Sequence, residues 1–217
     1  MNKRDLAVRV ARYSETLDKL NWIARWREMV EPRTAPMLHD RYALYAHVMD
    51  MLGGAPITYL ELGVASGKSM RAWVDQHAHP ASRFHGFDTF EGLPEDWNAS
   101  FGKGHFSTGG TPPPIEDPRL TFHKGLFQQT LRPFLATAQL APQLVVHMDA
   151  DLYSATLYAL TQLDASMPAG TFILFDEFQS YLHEFRAWHD YVSAYGRRFE
   201  FVGFASRGVH AAVRLTS

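Results

Sequence analysis

From Thr58 onwards, short apolar or β-branched runs alternate with helical stretches, which is the pattern of a parallel sheet flanked by helices. Strands are expected at residues 58–62, 83–87, 121–123, 144–148 and 171–175. Helices are expected between them at 69–77, 129–136, 154–166 and 184–195. The tail reads as two strands, 200–204 and 210–215, joined by Ser206-Arg207-Gly208.

Two helices precede the first strand. Tyr13, Leu17, Leu20 and Ala24 recur at helical spacing, and Trp22, Ile23 and Trp26 widen the stripe, so residues 13–30 read as an amphipathic helix stopped by Pro32. A second helix, 39–52, ends at Gly53-Gly54. The expected fold is α/β: a Rossmann-like, doubly wound, mostly parallel seven-stranded sheet with a C-terminal antiparallel hairpin. Residues 1–56 form an N-terminal helical extension to a sheet domain at 57–217. Residues 89–118 are the exception to the alternation, carrying Gly102, Gly104, Gly109, Gly110 and the run Pro112-Pro113-Pro114. A loop of that length is expected to be functional and mobile until a ligand orders it.

Composition removes whole classes of chemistry. The chain has no cysteine, so thiol nucleophiles, thiolate zinc sites and disulfides are excluded. A net charge of -2 offers no global field for a phosphate backbone, and nucleic acid is not expected as a partner. Residues 1–12 lack the apolar core of a signal peptide, and no apolar run is long enough to span a membrane. No membrane association and a cytoplasmic location are therefore expected.

The first strand of the alternating region runs into Glu61-Leu62-Gly63-Val64-Ala65-Ser66-Gly67-Lys68-Ser69 and then a helix. In an open α/β sheet, ligands sit at the carboxyl ends of strands where such a turn lies. Glycines let a bound molecule approach the backbone, and the helix start offers unpaired N–H groups. Neither G-x-G-x-x-G nor the P-loop spacing is present. Glu61, inside the strand, is a carboxylate that needs a partner if buried. The second strand ends in Asp88, roughly 20 residues beyond the turn, where an acidic residue accepts from a ribose diol. The competing role for Asp88 is to satisfy local backbone amides.

The fourth strand delivers Asp149-Ala150-Asp151 and the fifth Asp176-Glu177. Four carboxylates at neighbouring strand ends repel one another unless neutralised. An oxygen-only ligand set suits Mg2+ or another hard divalent cation rather than zinc. The alternative is that Asp151 or Asp176 merely caps the following helix.

Carrying these motifs, the chain resembles the class I S-adenosylmethionine-dependent methyltransferases, and within them the macrocin O-methyltransferase family. The similarity runs from about Tyr59 to the C-terminus. It rests on Leu60-Glu61-Leu62-Gly63-Val64-Ala65-Ser66-Gly67, Asp149-Ala150-Asp151-Leu152-Tyr153 and Phe175-Asp176-Glu177-Phe178, and most specifically on Phe87-Asp88-Thr89-Phe90-Glu91-Gly92-Leu93-Pro94. The resemblance implies that Glu61, Gly63, Ala65, Ser66, Gly67 and Ser69 hold the methionine end of S-adenosylmethionine, with Asp88 and Thr89 at its ribose. It implies Gly125 and Phe127 near the adenine, Asp149 beside the cofactor, and Asp149, Asp176 and Glu177 as metal ligands. Glu177 stands where the family more often has aspartate. Many members methylate sugar hydroxyls, so the acceptor is expected to be a small-molecule hydroxyl, with sugars among the candidates.

A sulfonium makes its methyl group electrophilic, which leaves the protein to align an acceptor oxygen and take its proton. Asp149, Asp151 and His183 are the catalytic candidates, whereas His147 and His85 read as core histidines. Trp97 and Phe101 are placed to cover the acceptor. Trp22, Trp26, Tyr42 and Tyr45 read as core or as a homo-oligomer interface. Two rival functions remain at this level: a non-catalytic S-adenosylmethionine-binding partner protein, and an NAD-dependent oxidoreductase, which lacks its phosphate-binding fingerprint here.

Overall fold

The structure is a computed structural model that describes residues 3–30, 35–98 and 100–217. Pro32, the expected stop of the first helix, lies outside the described residues. The described strands are β1 (Met37–Leu38), β2 (Ile57–Leu62), β3 (Arg83–Asp88), β4 (Leu120–Lys124), β5 (Gln143–Met148), β6 (Phe172–Phe175), β7 (Phe199–Ala205) and β8 (His210–Leu215). They form one sheet in the order β1-β7-β8-β6-β5-β2-β3-β4. The helices are α1 (Lys3–Val30), α2 (Arg41–Leu52), α3 (Lys68–Gln76), α4 (Phe127–Leu135), α5 (Tyr153–Leu163) and α6 (Glu184–Tyr195). The sheet thus has eight strands and not seven, because the two-residue β1 adds itself in parallel to β7. Two residues carry no periodicity, which is why the pattern missed it.

Among the described strands, only β8 runs antiparallel to its neighbours, β6 and β7. The chain steps from β2 to β3 to β4 towards one edge and then returns to β5 on the other side of β2. The switch point between β2 and β5 opens a crevice at their carboxyl ends. β2 and β6 are buried at every position, as strands covered by helices on both faces must be. Alternation divides their side chains. Ile57, Tyr59 and Leu174 pack with α2 and α3, whereas Leu60, Leu62 and Ile173 pack against α5 and α6.

α1 lies on the α5–α6 side and buries Trp22, Trp26 and Val30, spaced four residues apart. Trp22 meets Phe185 edge-on and Trp26 meets Tyr181. The stripe expected from Tyr13, Leu17 and Leu20 is instead exposed, at 68%, 65% and 55%. The large indoles, one turn apart, decide which face docks. Tyr45 is buried and Tyr42 is 43% exposed. Asp40 caps α2, its Oδ1 accepting from the Ala43 N–H at 2.9 Å, and Gly53 closes the helix at φ 62°.

Residues 89–98 and 100–118 carry several internal hydrogen bonds. The Leu93 and Gly104 N–H groups donate to His105 O and Leu93 O, the Thr108 and Gly110 N–H groups both donate to Phe90 O, and Phe90 is buried. Among the described residues, no helix is long and apolar enough to cross a membrane.

Candidate functional site

The turn after β2 is shaped by close approach. Gly63 has φ +96°, and a Cβ there would lie 1.8 Å from the Asp149 carbonyl oxygen, so β2 and β5 converge only because the side chain is missing. Gly67 opens α3 at φ +74° without a side-chain cap, leaving first-turn amides of the helix for a ligand. Between the glycines, Ala65 also adopts the left-handed region, at φ 44°.

A cleft of about 720 Å³ opens above this turn. Of the residues expected in the site, Gly63, Ala65, Ser66, Ser69, Asp88, Thr89, Gly125, Phe127, Asp149, Asp151, Asp176 and Glu177 line it. Glu61, Gly67 and His183 do not. Lining residues that the sequence reading did not single out include Arg41 from α2, Glu95 and Phe106 from the 89–118 loop, and Gln128 from α4. Trp97 and Phe101 stack beneath Phe106 rather than facing the cleft themselves.

Asp88 fastens the turn. Its Oδ2 accepts from the Val64 and Ala65 N–H groups, each at 2.8 Å, and its Oδ1 accepts from Phe90 N–H at 2.7 Å. The carboxylate is therefore occupied with local backbone amides while still facing the cleft, and of its roughly four acceptor positions one stays free for a ligand. Glu61 is fully buried: Oε1 accepts from Ser69 Oγ at 2.8 Å and Oε2 from the Tyr59 hydroxyl at 2.8 Å. The Tyr59 oxygen also lies 2.8 Å from His147 Nδ1. Burial pushes the Glu61 carboxyl up to about 8 and the His147 imidazole down to about 4, so His147 is a neutral core histidine, as expected. Glu61 belongs to this buried chain beneath the turn.

His183 precedes α6, its Nδ1 accepting weakly from Tyr153 N–H at 3.4 Å and its ring meeting the Trp97 ring edge-on. It supports the loop from behind. His85 pairs with His123 at 3.2 Å outside the cleft, and burial holds it at about 4.

The carboxylates do converge. Burial first, and then Asp176, pushes Asp149 well above the usual carboxylate range. Burial and Glu177 raise Asp151 to about 7, and Asp151 itself sits at φ 57°. Glu177 is raised by burial and by Asp176. Glu184, expected only as part of a helix, is fully buried here; burial raises it well above its usual range, and one of its oxygens accepts from Glu177 N–H at 2.9 Å. Asp176 alone moves down. Burial opposes its ionisation, but His210, His147 and Arg41 outweigh it. Arg41 Nη1 donates to both Asp176 oxygens at 3.0 Å, and His210 Nδ1 lies 3.3 Å from Oδ1. Among the described residues, no group of three His, Asp or Glu side chains is gathered closely enough to hold a metal ion.

Comparison with known proteins agrees with this geometry. Residues 114–199 match the Macrocin-O-methyltransferase (TylF) family. The chain is 32% identical over 164 residues to 8-demethyl-8-(2,3-dimethoxy-alpha-L-rhamnosyl)-tetracenomycin-C 4'-O-methyltransferase of Streptomyces olivaceus. That alignment takes in 66% of this chain and 60% of the relative, so the chain spans less than two thirds of the relative's length. Among solved structures, the O-methyltransferase NovP superposes with a TM-score of 0.63 at 21% identity, covering 79% of this chain and 77% of NovP. CalS11, the calicheamicin methyltransferase, superposes with a TM-score of 0.61 at 21% identity, over 79% and 76% of the two chains. At that identity the structures speak for the fold. Residues 114–199 thus resemble the macrocin-O-methyltransferase (TylF) family, and the sheet has the Rossmann-like α/β fold of the O-methyltransferases on which it superposes.

Proposed function

We propose that the chain transfers the methyl group of S-adenosylmethionine to a hydroxyl of a small molecule, with a sugar moiety as the acceptor class. The observation that carries this reading is convergence: the glycine turn, Asp88, the Gly125–Phe127 stretch and the strand-end carboxylates all line one cleft at the switch point. The sugar acceptor is supported by the rhamnosyl-directed relative from Streptomyces olivaceus. In this reading the Gly63–Ser69 turn and the start of α3 hold the methionine end of the cofactor, and Gly125 and Phe127 flank its adenine. The sulfonium supplies the electrophilic methyl group; the protein's part is alignment and proton removal. Asp151 is the better base of the two candidates. It faces the cleft and titrates near neutral pH, where a general base works best, whereas His183 lies outside the lining.

Asp149, Asp176 and Glu177 offer the oxygen donors that a hard divalent cation takes, but in this structure the three side chains are not gathered closely enough to hold one. All three line the cleft; Asp149 and Glu177 are raised by burial and by Asp176, whereas Asp176 already has Arg41 as its counter-ion. A neighbour in fold, "cmcI-D160 Mg-SAM", is described with both magnesium and the cofactor. Such an ion would supply Lewis acidity that lowers the pKa of the acceptor hydroxyl. Asp176, held by Arg41, would have to share or exchange its partner.

The test is calorimetry with S-adenosylhomocysteine and NADH, followed by methyl transfer to glycosylated aromatic acceptors and simple catechols, with and without chelator. Tight S-adenosylhomocysteine binding and turnover on a glycosylated acceptor are expected. Preferential NADH binding would end the methyltransferase reading, and cofactor binding without turnover on any acceptor would favour a non-catalytic binding protein.

A further inference from the structure

Residues 92–95 and 101–106 of the long loop reach the cleft as two paired arms. The Leu93 and Gly104 backbones hydrogen-bond across them, and Gly92, at φ +83°, packs so closely that a Cβ there would stand 2.4 Å from the Gly104 carbonyl oxygen. Glu95 lies two residues beyond this pairing on one arm and Phe106 two residues beyond it on the other, and both line the cleft. Glu95 Oε1 accepts from Ser154 Oγ at 2.6 Å, and Ser154 is the second residue of α5. The first turn of a helix presents unpaired amides to an anion, and at this one the protein has already placed a carboxylate of its own. Phe106 ends a stack of three rings. Trp97 lies on Phe101 at 5.3 Å between centroids and 23° between planes, and Phe101 lies on Phe106 at 5.7 Å and 29°. Phe106 takes φ 65°, a strained conformation for a bulky residue, and is 44% exposed while it lines the cleft.

With the cofactor on the Gly63–Ser69 turn and against Gly125 and Phe127, the groups left to face an acceptor are Glu95, Phe106, Asp151 and Glu177. Among the described residues that line the cleft, the Lys and Arg side chains are Lys68, on the cofactor turn, and Arg41, which is held by Asp176. A diphosphate on the acceptor side would therefore meet carboxylates, and the start of α5, which could otherwise receive it, is taken by Glu95. A flat apolar ring system meets an open aromatic face instead, on a stack that is braced from behind by the edge-on contact of Trp97 with His183.

We propose that Glu95 and Phe106 set the acceptor specificity: the cleft takes a sugar already joined to a neutral or basic aromatic ring system, stacked on Phe106, and turns away the same sugar carried on a nucleoside diphosphate. The reaction then follows a glycosyl transfer, which supplies its substrate, rather than preceding one. This rests on the methyl-transfer reading and deepens it, but it does not depend on a metal ion.

The probes are naphthyl α-L-rhamnoside and thymidine diphosphate rhamnose, which present one sugar in the two forms. Each is titrated by calorimetry onto the full chain loaded with S-adenosylhomocysteine, once with Mg2+ and once in chelator. The naphthyl rhamnoside should bind roughly tenfold or more tightly than the nucleotide sugar under both conditions. F106A should weaken the naphthyl rhamnoside roughly five- to thirtyfold, and F106W, which keeps a flat ring, should restore it. E95Q should narrow the gap between the two probes by roughly fivefold or more, since it removes the charge that repels the diphosphate. Affinity for S-adenosylhomocysteine reports directly whether each variant is folded. Equal or tighter binding of the nucleotide sugar, an unchanged naphthyl rhamnoside affinity in F106A, an unchanged gap in E95Q, or binding of neither rhamnoside by the loaded wild type would overturn the inference. Failure of the wild type to bind S-adenosylhomocysteine is a different result, and it would sink the methyltransferase reading itself.

Discussion

Replacing Asp88 should loosen the protein before it changes what a ligand feels. The carboxylate receives three backbone N–H groups, from Val64, Ala65 and Phe90, at 2.7–2.8 Å. A hydrogen bond to a charged acceptor contributes about 1.5–3 kcal/mol, but these donors border a cleft that water can enter, so Asp88→Ala should cost about 2–4 kcal/mol rather than the sum. For a chain of this size that corresponds to a fall in Tm of roughly 5–15 °C. Asp88→Asn is the sharper variant. An amide offers one oxygen, so either Phe90 or the Val64–Ala65 pair must face an NH2 group, and the isosteric change should destabilise nearly as much as alanine. Scanning calorimetry without ligand, followed by titration with S-adenosylhomocysteine, separates the two roles of this residue. If both variants kept Tm within about 2 °C of the wild type and lost only ligand affinity, the turn would hold itself and the carboxylate would serve the ribose alone.

Gly63→Ala should destabilise by at least about 3 kcal/mol, because the new Cβ would collide with the Asp149 carbonyl at 1.8 Å; a soluble variant with unchanged Tm would show that the strand ends can part. Asp151, raised to about 7 in the folded chain from 3.8, binds protons more strongly folded than unfolded, so its contribution to stability is lost as pH rises between those values. The shift converts to a ceiling of about 4 kcal/mol, and access of the side chain to the cleft reduces it to on the order of 2–3 kcal/mol. Urea midpoints measured in chelator should therefore favour Asp151→Asn over the wild type more at pH 8 than at pH 5, and parallel pH profiles would contradict this. Phe106, 44% exposed and lining the cleft from the loop, should matter to the acceptor. Phe106→Ala should raise acceptor KM roughly five- to thirtyfold while leaving S-adenosylhomocysteine affinity unchanged, and an equal loss of both would place the ring against the cofactor instead.

The parallel sheet was legible because buried strands and amphipathic helices write their periods plainly. α6 falls on the residues that the pattern assigns, and β2, β3, β4, β5 and β6 lie within one residue of theirs. The strand-end carboxylates and the glycine turn were legible for the same reason: a switch point gathers whatever leaves neighbouring strands. Three things were not legible. The docking face of α1 has two apolar stripes to choose from, and only the space beside Phe185 and Tyr181 selects the tryptophans. The partners of Glu61 were not legible either: the Tyr59 and Ser69 hydroxyls, two and eight residues away, each donate to one of its oxygens. Arg41 stands 135 positions from the carboxylate it meets, and no local spacing carries that contact. An arginine directly after a capping aspartate, in a helix that precedes a sheet rich in strand-end carboxylates, is the one signal that would have pointed to it.

The shortest strand has a consequence for how this protein is divided. Without Met37 and Leu38, β7 would be an open rim, with the backbone groups that now face Met37–Leu38 left for another copy to claim. The same N-terminal stretch lays Trp22 and Trp26 over one face of the sheet and Tyr45 and Val48 over the other. A shortened chain beginning at Ile57 would keep every strand-end carboxylate yet present a sticky rim and two bare apolar flanks, and it would associate before it folded. Hybrids assembled from related enzymes inherit that constraint: the leading helices and the sheet they brace have to be exchanged together.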